Sequence, residues 1–296
     1  MKKPVLAPGL RVLQRSRGEL QVGLGPDHRV RLADTEPVRR TLDHLLRGEA
    51  VPDDPQSREV LDALAPAIVD GSGLVAPDIA AGDVAAVALR DPSGYPERLA
   101  ARRDATVSVT GTLGAVDPRP LLTAAGLRCD DRRTGPRSAS APSVALALSL
   151  GEIDRAELDA WLRGRVPHLV LRLVEGHALV GPFVVPGRTA CLRCIDAHRT
   201  IEDPRTPTLA ARHAQARDDR KDGVAEPVDT ALATLAVAWA VRDLVTHVDA
   251  ERPSTWSATV QLAPGLESVT QTEWLRHPAC GCSWLPDEQM SSTMSV

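Results

Sequence analysis

The chain has 296 residues, a length that suggests about two domains. Its 35 lysine and arginine residues and 39 aspartate and glutamate residues leave a net charge of −4, which argues against a general nucleic-acid-binding protein. Hydrophobic residues make up 43% of the chain, as in folded rather than disordered proteins. Aromatic residues make up only 2%, so surfaces that stack bases or sugars are not expected.

The sequence shows no targeting or membrane-spanning segment. Two lysines follow the first methionine, but no apolar run with the length of a signal peptide comes after them. No stretch approaches the roughly 18 uninterrupted apolar residues of a transmembrane helix. We therefore expect a cytoplasmic protein without membrane partners.

The N-terminal region predicts three short antiparallel strands. Apolar and polar residues alternate over residues 10–14, 20–24 and 29–32, and turn residues separate the three runs. The third of these strands is expected to lie at an open edge of its sheet.

Two helices are predicted after these strands. The segment Asp34-Thr35-Glu36-Pro37 combines a capping residue with an early proline, and Asp54-Pro55 repeats that signal. One face of the first helix carries the apolar residues Val38, Leu42, Leu45 and Leu46. Strands followed by helices are typical of a small winged-helix module of the α+β class, which we place at residues 1–75.

The rest of the chain predicts a linker and an α/β domain. Residues 76–104 are interpreted as a linker with one or two short helices. Strands and helices then alternate over residues 105–286, as in an α/β sheet. Within this domain, residues 202–226 predict a polar loop or lid, and residues 287–296 predict a disordered tail.

The elements of this domain are predicted from periodicity and turn residues. Strands are expected at residues 105–110, 127–129, 143–150 and 169–174, and helices at residues 120–125, 153–162 and 227–250. A hairpin is expected over residues 255–274.

The five cysteines form two close pairs and one single residue. Cys191 and Cys194 form a C-x2-C pair, and Cys280 and Cys282 form a C-x-C pair. Four thiolates that reach one ion make a closed tetrahedral zinc site with a structural role. Unmetallated thiols or a regulatory disulfide are the alternatives.

Two further residues bear on this cysteine assignment. His277 is an alternative ligand for the predicted ion. Cys129 stands alone and is predicted to be a small buried hydrophobic residue rather than a nucleophile.

A glycine turn is the candidate nucleotide site. Gly111 and Gly114 stand between a predicted strand and a predicted helix, where bare backbone N–H groups can hold a phosphate. Asp130 ends the next strand, where an acidic residue binds ribose. A full G-x-G-x-x-G motif would need glycine at Val109, so a structural turn without nucleotide is the alternative.

Three features together carry a resemblance to a known family. They are the Gly111–Gly114 turn, the run VPGRTACLRC that ends at Cys194, and the long helix followed by the late cysteine pair. Over residues 105–285 the chain resembles the ThiF/MoeB/HesA superfamily, which is related to ubiquitin-activating enzymes. Together with the N-terminal module, it resembles the cyclodehydratase-associated ThiF-like proteins of azole-modified peptide biosynthesis.

The resemblance implies a fold, a cofactor and partners. It implies a Rossmann-like ThiF-type domain with a zinc knuckle, and a homodimer. It also implies binding of the leader peptide of a ribosomal peptide and its presentation to a partner enzyme that makes azoline rings. The zinc ligands that it implies are Cys191, Cys194, Cys280 and Cys282.

The sequence departs from the adenylating members of that family. Its second cysteine pair is C-x-C rather than C-x2-C. The stretch from Asp130 to Arg137 lacks the Ser-Asn-Leu-x-Arg-Gln-like run whose arginine stabilises the transferring phosphate. Arg132, Arg133 and Arg137 are interpreted as part of a charged surface loop, and anion binding by one of them is the alternative.

We therefore expect a scaffold without catalytic residues and without ATP or Mg²⁺ as cofactors. The alternative function is an active ATP-dependent adenylyltransferase. A dinucleotide-dependent dehydrogenase and a DNA-binding winged helix are more distant alternatives.

The third strand is the predicted peptide-binding edge. An edge strand leaves N–H and C=O groups unpaired, so an extended peptide can join it as an added strand. Val30 and Arg31 would form this edge, Val38 and Leu42 an apolar wall beside it, and Arg39 a partner for acidic side chains. The alternative is that the module only packs on the larger domain.

Overall fold

The computed structural model describes residues 3–130, 142–216, 221–222, 224, 226–227 and 229–284. The chain divides into two compact units. The first is Met1–Arg103 with Ala124–Gly126, and the second is Asp104–Thr123 with Leu127–Val296.

The first unit contains the three predicted strands. They are β2 (Val12–Ser16), β3 (Glu19–Val22) and β4 (Val30–Ala33), and they form an antiparallel sheet in the order β2-β3-β4. Because β3 lies in the middle, β4 is an edge strand of this sheet. A further strand, β1 (Pro4–Leu6), precedes them and was not predicted.

Two helices follow at the predicted positions. Helix α1 spans Glu36–Arg47 and ends at Gly48, whose left-handed φ of 61° lets the chain leave the helix without strain. Helix α2 spans Pro55–Ala63, and the side chain of Asp54 caps it by accepting a hydrogen bond from the Ser57 N–H at 2.8 Å. The predicted apolar face of α1 is buried except for Leu46, which is 55% exposed.

The stretch that was interpreted as a linker belongs to the first unit instead. It contains α3 (Ala81–Arg90) and α4 (Tyr95–Asp104). Their buried side chains pack in one core with Ala7 and with Val69 of β5 (Ile68–Asp70), which pairs with β1. The predicted short helices are present, but they pack into the core of the first unit, a tertiary contact that local periodicity does not reveal.

The second unit is built on a seven-stranded mixed sheet in the order β12-β11-β10-β9-β8-β6-β7. The four strands from β9 to the β7 edge are parallel. They are β6 (Thr106–Gly111), β7 (Arg128–Asp130), β8 (Val144–Leu150) and β9 (His168–Val174). The antiparallel strands are β10 (His177–Val184), β11 (Ala258–Leu262) and β12 (Val269–Glu273). This is the α/β class that the sequence predicted.

Five helices of the described chain belong to this unit. They are α5 (Arg119–Ala124), α6 (Arg155–Arg163), α7 (Leu192–Arg199), α8 (Thr206–Gln215) and α9 (Thr230–Val248). Helix α8 lies inside the segment that was predicted as a polar loop. Among the described residues, α9 is the one helix long and apolar enough to cross a membrane, and 56% of its most apolar window is buried, as in a core helix.

Strand β10 was not predicted, because a Gly-Pro pair interrupts its pattern. The pairing of β10 with β9 shifts register between Val180 and Phe183, around Gly181 and Pro182. A proline is tolerated in a strand at such a bulge. Cys129, which was predicted to be buried, is half-buried in β7.

Gly111 ends β6 at a position that excludes any side chain. Its φ is 75°, and a Cβ atom there would lie 1.9 Å from the carbonyl oxygen of Leu148 in the neighbouring strand β8. Gly114 has a similar φ of 70°, but a Cβ atom there would meet nothing within 4 Å. Gly111 is therefore needed for strand packing, whereas Gly114 needs only the left-handed backbone.

These two glycines provide a matched test of the β6–β8 contact. We expect Gly114→Ala to lower the free energy of unfolding by about 1–2 kcal/mol, the cost of a left-handed non-glycine residue. Gly111→Ala adds a backbone clash, so its loss should be larger by about 2 kcal/mol or more. Urea unfolding followed by circular dichroism measures both, and equal losses would contradict this packing.

Candidate metal centre and the carboxyl edge of the sheet

Four cysteine thiols meet in the second unit. The sulfur atoms of Cys191, Cys194, Cys280 and Cys282 all lie within 4.8 Å of one another, and all four residues are buried. The closest Sγ–Sγ distances are 3.9 Å for Cys191 with Cys194, 3.7 Å for Cys191 with Cys280, and 3.3 Å for Cys194 with Cys282. The two predicted pairs therefore form one cluster.

These distances fit a metal ion and not a disulfide. A sulfur–sulfur bond is about 2.05 Å long, far shorter than any of them. Four sulfurs at roughly 2.3 Å from a central ion lie about 3.8 Å apart in a tetrahedron. The residues present therefore fit an ion that prefers four thiolate ligands.

Local backbone geometry brings the first pair together. Cys191 is the residue before α7, and Cys194 lies in the first turn of that helix, where its N–H donates to the Cys191 carbonyl at 3.0 Å. One helical turn thus places both sulfurs on the same side. In the second pair, the N–H of Cys280 donates to the carbonyl of His277 at 2.9 Å, and a short 3-10 helix follows at Gly281–Trp284.

Burial and mutual contact shift the pKa values of the four thiols. The hydrogen bond with Cys194 raises the pKa of Cys191 far above its ordinary value, and the same bond lowers the pKa of Cys194. Several thiolates in one buried cluster repel each other, so all four are costly to ionise without a cation. A bound cation would remove this repulsion and allow all four to ionise.

His277, which the sequence offered as an alternative ligand, does not join the cluster. The Nδ1 atom of His277 accepts a hydrogen bond from the N–H of Ala279 at 3.2 Å, and its ring lies edge-on to His198. Apolar side chains surround the thiols instead. Val184 and Ala190 share their core, and Leu162 and Trp274 pack against it.

The candidate nucleotide residues lie at one edge of the sheet. Strands β7 and β8 are parallel neighbours of β6, so their carboxyl ends share an edge. Gly111 ends β6, and Asp130 ends β7 beside it, with Asp130 paired to Ser108 in the ladder. The next two strands along the chain, β7 and β8, lie on opposite sides of β6. Open α/β sheets bind ligands at the carboxyl ends of strands where the strand order reverses in this way.

The turn after β6 uses some of its polar groups internally. The N–H of Gly114 donates to the Thr112 hydroxyl at 3.2 Å. Leu113 and Val116 form an isolated bridge across the turn, and α5 starts only at Arg119. Arg132, Arg133 and Arg137 lie outside the described residues.

A buried ion-pair network, which the sequence analysis missed, lies where β8 and β9 end. Arg155 binds Asp196 with two hydrogen bonds of 2.8 and 2.9 Å and binds Glu152 at 2.6 Å. Arg172 of β9, only 1% exposed, binds the second oxygen of Glu152 at 2.6 Å. Two positive and two negative charges thus balance each other.

The pKa values in this network reflect that balance. Although burial alone would raise the pKa of Glu152, the charges of Arg172 and Arg155 lower it to about 2. The carboxylate therefore stays ionised through the physiological range. The signal in the sequence was an arginine inside the apolar strand HLVLRLV, which requires a buried partner.

The segment of residues 202–226, predicted as a loop or lid, contacts the sheet edge where β8 and β9 end. Nδ1 of His213 in α8 accepts a hydrogen bond from the N–H of Glu152 at 3.3 Å. The Glu226 carboxylate accepts one from the N–H of Glu175 at 2.7 Å and lies 3.5 Å from the His213 ring. These bonds hold the described parts of the segment against the loops that follow β8 and β9.

The predicted peptide-binding residues have two different environments. Val30 is half-buried and Arg31 is exposed on the edge strand β4. Val38 and Leu42 are buried in the core of the first unit, so they do not form an exposed wall. The Arg39 guanidinium donates to Asp34 at 2.7 Å and lowers the pKa of that carboxyl group.

The thiol cluster gives a direct test of metal binding. We expect the purified protein to contain one metal ion per chain, measured by elemental mass spectrometry. Cys194→Ser should lose the ion and lower the Tm by roughly 10 °C or more, because structural sites of this kind contribute on the order of 10 kcal/mol to folding. Cys129→Ser is the matched control and should retain the ion. Metal-free protein with four freely titrating native thiols would contradict the assignment.

Comparison with known proteins identifies the fold. No protein-family model and no curated protein matches the chain. Solved structures do. The heterocyclase TruD superposes with a TM-score of 0.67 at 16% identity, over 95% of this chain and 42% of that chain. A heterocyclase in complex with substrate and cofactor gives a TM-score of 0.66 at 17% identity, over 95% and 39%.

A third neighbour matches over its full length. MccB from E. coli superposes with a TM-score of 0.61 at 10% identity, over 97% of this chain and 97% of MccB. MccB has also been solved with ATP and with MccA. The chain thus spans about two fifths of the length of the heterocyclases and nearly all of MccB. These similarities show that the chain has the fold of the heterocyclase TruD and of MccB, which agrees with the fold that the resemblance predicted.

Proposed function

We propose that the protein is a ThiF-like scaffold that binds the leader segment of a ribosomal peptide and presents it to a separate ring-forming enzyme, without adenylating it. The observation that carries this proposal is the open edge strand β4 in the first unit, with an exposed arginine at its centre. The strands-then-helices unit is, on this proposal, a winged-helix recognition module.

The register of β4 identifies the backbone groups that are available to a peptide. Val30 pairs with Val22 and Leu32 pairs with Leu20, while the N–H of Asp34 donates to Gly18 at 2.8 Å. Hydrogen-bonded pairs alternate along an antiparallel ladder. The even-numbered residues therefore bond to β3, and the N–H and C=O of Arg31 point outward. A peptide that adds to this edge would pair with Arg31.

Charge beside the edge favours an acidic peptide. Arg29 and Arg31 are exposed, and neither has an ion-pair partner in the described part of the chain. Arg39 is already engaged by Asp34. The arginine at β4 and its neighbours would thus meet carboxylate side chains of an added strand, which steers association and sets its register.

The structural neighbours support a bound substrate. One heterocyclase was solved with substrate and cofactor, and MccB was solved with MccA. On this proposal the ring-forming activity belongs to another polypeptide, and this chain supplies the peptide-binding part.

The carboxyl edge of the sheet supports a scaffold rather than an adenylating enzyme. Catalysis of phosphoryl or adenylyl transfer depends on cationic groups that stabilise the developing charge. Here the side-chain donors of Arg155 are consumed by Asp196 and Glu152, and Arg172 is buried against Glu152. Neither guanidinium is available to a phosphate while the network is intact.

We further propose that the ion in the thiol cluster is zinc. Four cysteine ligands close the coordination sphere, so the site has no open position for substrate or water. When bound, zinc supplies a structural crosslink. Cys191 and Cys194 would hold it from the start of α7, and Cys280 and Cys282 from the segment after β12. A cytoplasmic location and a homodimer remain predictions.

An active adenylyltransferase is the second candidate function. The observation that favours it is the full-length match to MccB, which has been solved with ATP. In that case ATP would lie near Gly111, Gly114 and Asp130, at the carboxyl edge of the sheet.

The peptide proposal is tested by changes at Arg31. The probe is a fluorescent leader peptide encoded beside this gene, with binding followed by anisotropy. Arg31→Gln removes the charge, whereas Arg31→Pro also removes the outward N–H. We expect Arg31→Pro to bind roughly five- to tenfold more weakly than Arg31→Gln, the value of about one hydrogen bond.

The opposite edge of the same sheet supplies the control. Val12→Pro in β2 should leave peptide affinity unchanged. Two results would contradict the added-strand proposal. One is equal peptide affinity of Arg31→Pro and Arg31→Gln, and the other is a loss of affinity in Val12→Pro as large as that in Arg31→Pro.

The two candidate functions are separated by ATP–pyrophosphate exchange. With leader peptide and Mg²⁺ present, we expect exchange at the background rate, because the two described arginines where β8 and β9 end, Arg155 and Arg172, are neutralised by carboxylates. Exchange above background that disappears in Gly114→Asp would establish the adenylyltransferase instead.

A further inference from the structure

We infer that the second unit carries a docking groove for an extended acidic segment of a partner protein. The groove lies at the end of the β11–β12 hairpin where β11 begins and β12 ends, and its volume is about 610 Å³. This inference does not depend on leader binding by the first unit. Its principal lining residues are Arg188, Arg252, Trp256, Glu273, Trp274 and Arg276.

The groove is positively charged although the chain carries a net charge of −4. Three arginines face one acidic residue, Glu273. Arg252 is exposed, and it has no ion-pair partner within the described ranges. Arg276 donates one hydrogen bond to the carbonyl of Gly187, which fixes the side chain and leaves other guanidinium donors for a ligand. An acidic segment therefore complements this surface.

Two of the five tryptophans of the chain line the groove. The Trp274 Nε1–H donates to the Thr259 hydroxyl at 3.2 Å, so this ring is held in place. The guanidinium of Arg188 lies 5.5 Å from the centre of the Trp256 ring. Tryptophan and arginine are the residues that most often dominate binding energy at interfaces.

The loop that carries Arg252 and Trp256 is preorganised. Asp243 of α9, only 2% exposed, accepts hydrogen bonds from the backbone N–H groups of Ser254 at 2.9 Å and Thr255 at 2.8 Å. A groove that is already ordered loses little conformational entropy when a partner binds.

An open sheet edge continues from this groove. Strand β12 is the last strand of the seven-stranded sheet, and all five of its residues are exposed. The N–H of Trp274 donates to Ser257 at 2.7 Å, and that of Ala263 donates to Ser268 at 3.1 Å. Hydrogen-bonded residues alternate along an antiparallel strand, so the N–H and C=O groups of Val269, Gln271 and Glu273 point away from β11.

The composition of β12 leaves this edge open to pairing. Its sequence, VTQTE, contains neither the lysine nor the proline that commonly blocks edge pairing. A partner segment in extended conformation would thus add to β12 and place its acidic side chains among the groove arginines. The groove and the edge are adjacent, because Glu273 and Trp274 belong to the end of β12 and the residue after it.

The test uses three synthetic ten-residue probes on the full chain. The first alternates glutamate and threonine and carries fluorescein, the second alternates lysine and threonine, and the third is the glutamate peptide with alternate backbone nitrogens methylated. We expect the glutamate peptide to bind at least about tenfold more tightly than the lysine peptide and about fivefold more tightly than the methylated one.

Charge reversal locates the binding site. Arg252→Glu should weaken glutamate-peptide binding by about tenfold or more. Arg205→Glu, an exposed arginine elsewhere in the same unit, should not. Arg31→Pro should also leave this binding intact, so failure of the leader-peptide proposal and failure of this one are distinguishable.

Three results would overturn the inference. They are equal binding of the glutamate and lysine peptides, binding that survives Arg252→Glu but is lost in Arg31→Pro, and absence of binding. Sedimentation of the free chain is run in parallel. A dimer that is abolished by Arg252→Glu and excludes the peptide would assign the surface to a second copy of this chain and contradict the acidic partner.

Discussion

The buried cluster of four thiols is the constraint on which the second unit depends. Its sulfurs lie within 4.8 Å of one another in an apolar environment, so they can all ionise only around a cation. The cluster joins the start of α7 to residues that lie 86 or more positions later in the chain, as the separation of 194 from 280 shows. It thereby fixes the segment that follows β12, and with it Trp274 and Arg276 in the groove.

Two features of the described carboxyl edge fit the proposed scaffold function. At the carboxyl edge, Glu152, Arg155, Arg172 and Asp196 neutralise one another, and the N–H of Gly114 is already bonded to Thr112. The fold keeps the place where open α/β sheets bind ligands, but the charges of these four side chains pair with one another. What each unit leaves open is a strand edge, β4 in the first and β12 in the second. Both edges are flanked by exposed arginine, and both suit an extended acidic chain.

Much of this was predictable from the sequence, for identifiable reasons. The thiol cluster follows from two short cysteine spacings, because each spacing restricts where the sulfurs can point. The strands β2 to β4 and the long helix α9 follow from strong local periodicity. Val38 and Leu42 were recognised correctly as an apolar face of α1. Whether that face packs inward or meets a peptide depends on tertiary packing, which periodicity does not encode.

Other features depend on contacts between distant residues and were missed. Arg172 is separated from Glu152 by 20 residues, and Asp196 from Arg155 by 41. The α3–α4 segment was interpreted as a linker because its core partners, Ala7 and Val69, lie elsewhere in the sequence. The outward direction of the Arg31 backbone follows only from the strand register, which favours Arg31 over Val30 as the peptide-pairing residue.

On the proposed function, peptide binds at β4 while the nucleotide edge stays unused. Hydrogen–deuterium exchange of the full chain, followed by mass spectrometry, measures both regions in one experiment. With leader peptide added, the account predicts slower exchange in residues 29–33, and with MgATP added it predicts no change in residues 106–116. Protection of residues 106–116 by MgATP, or peptide protection confined to the second unit, would contradict it.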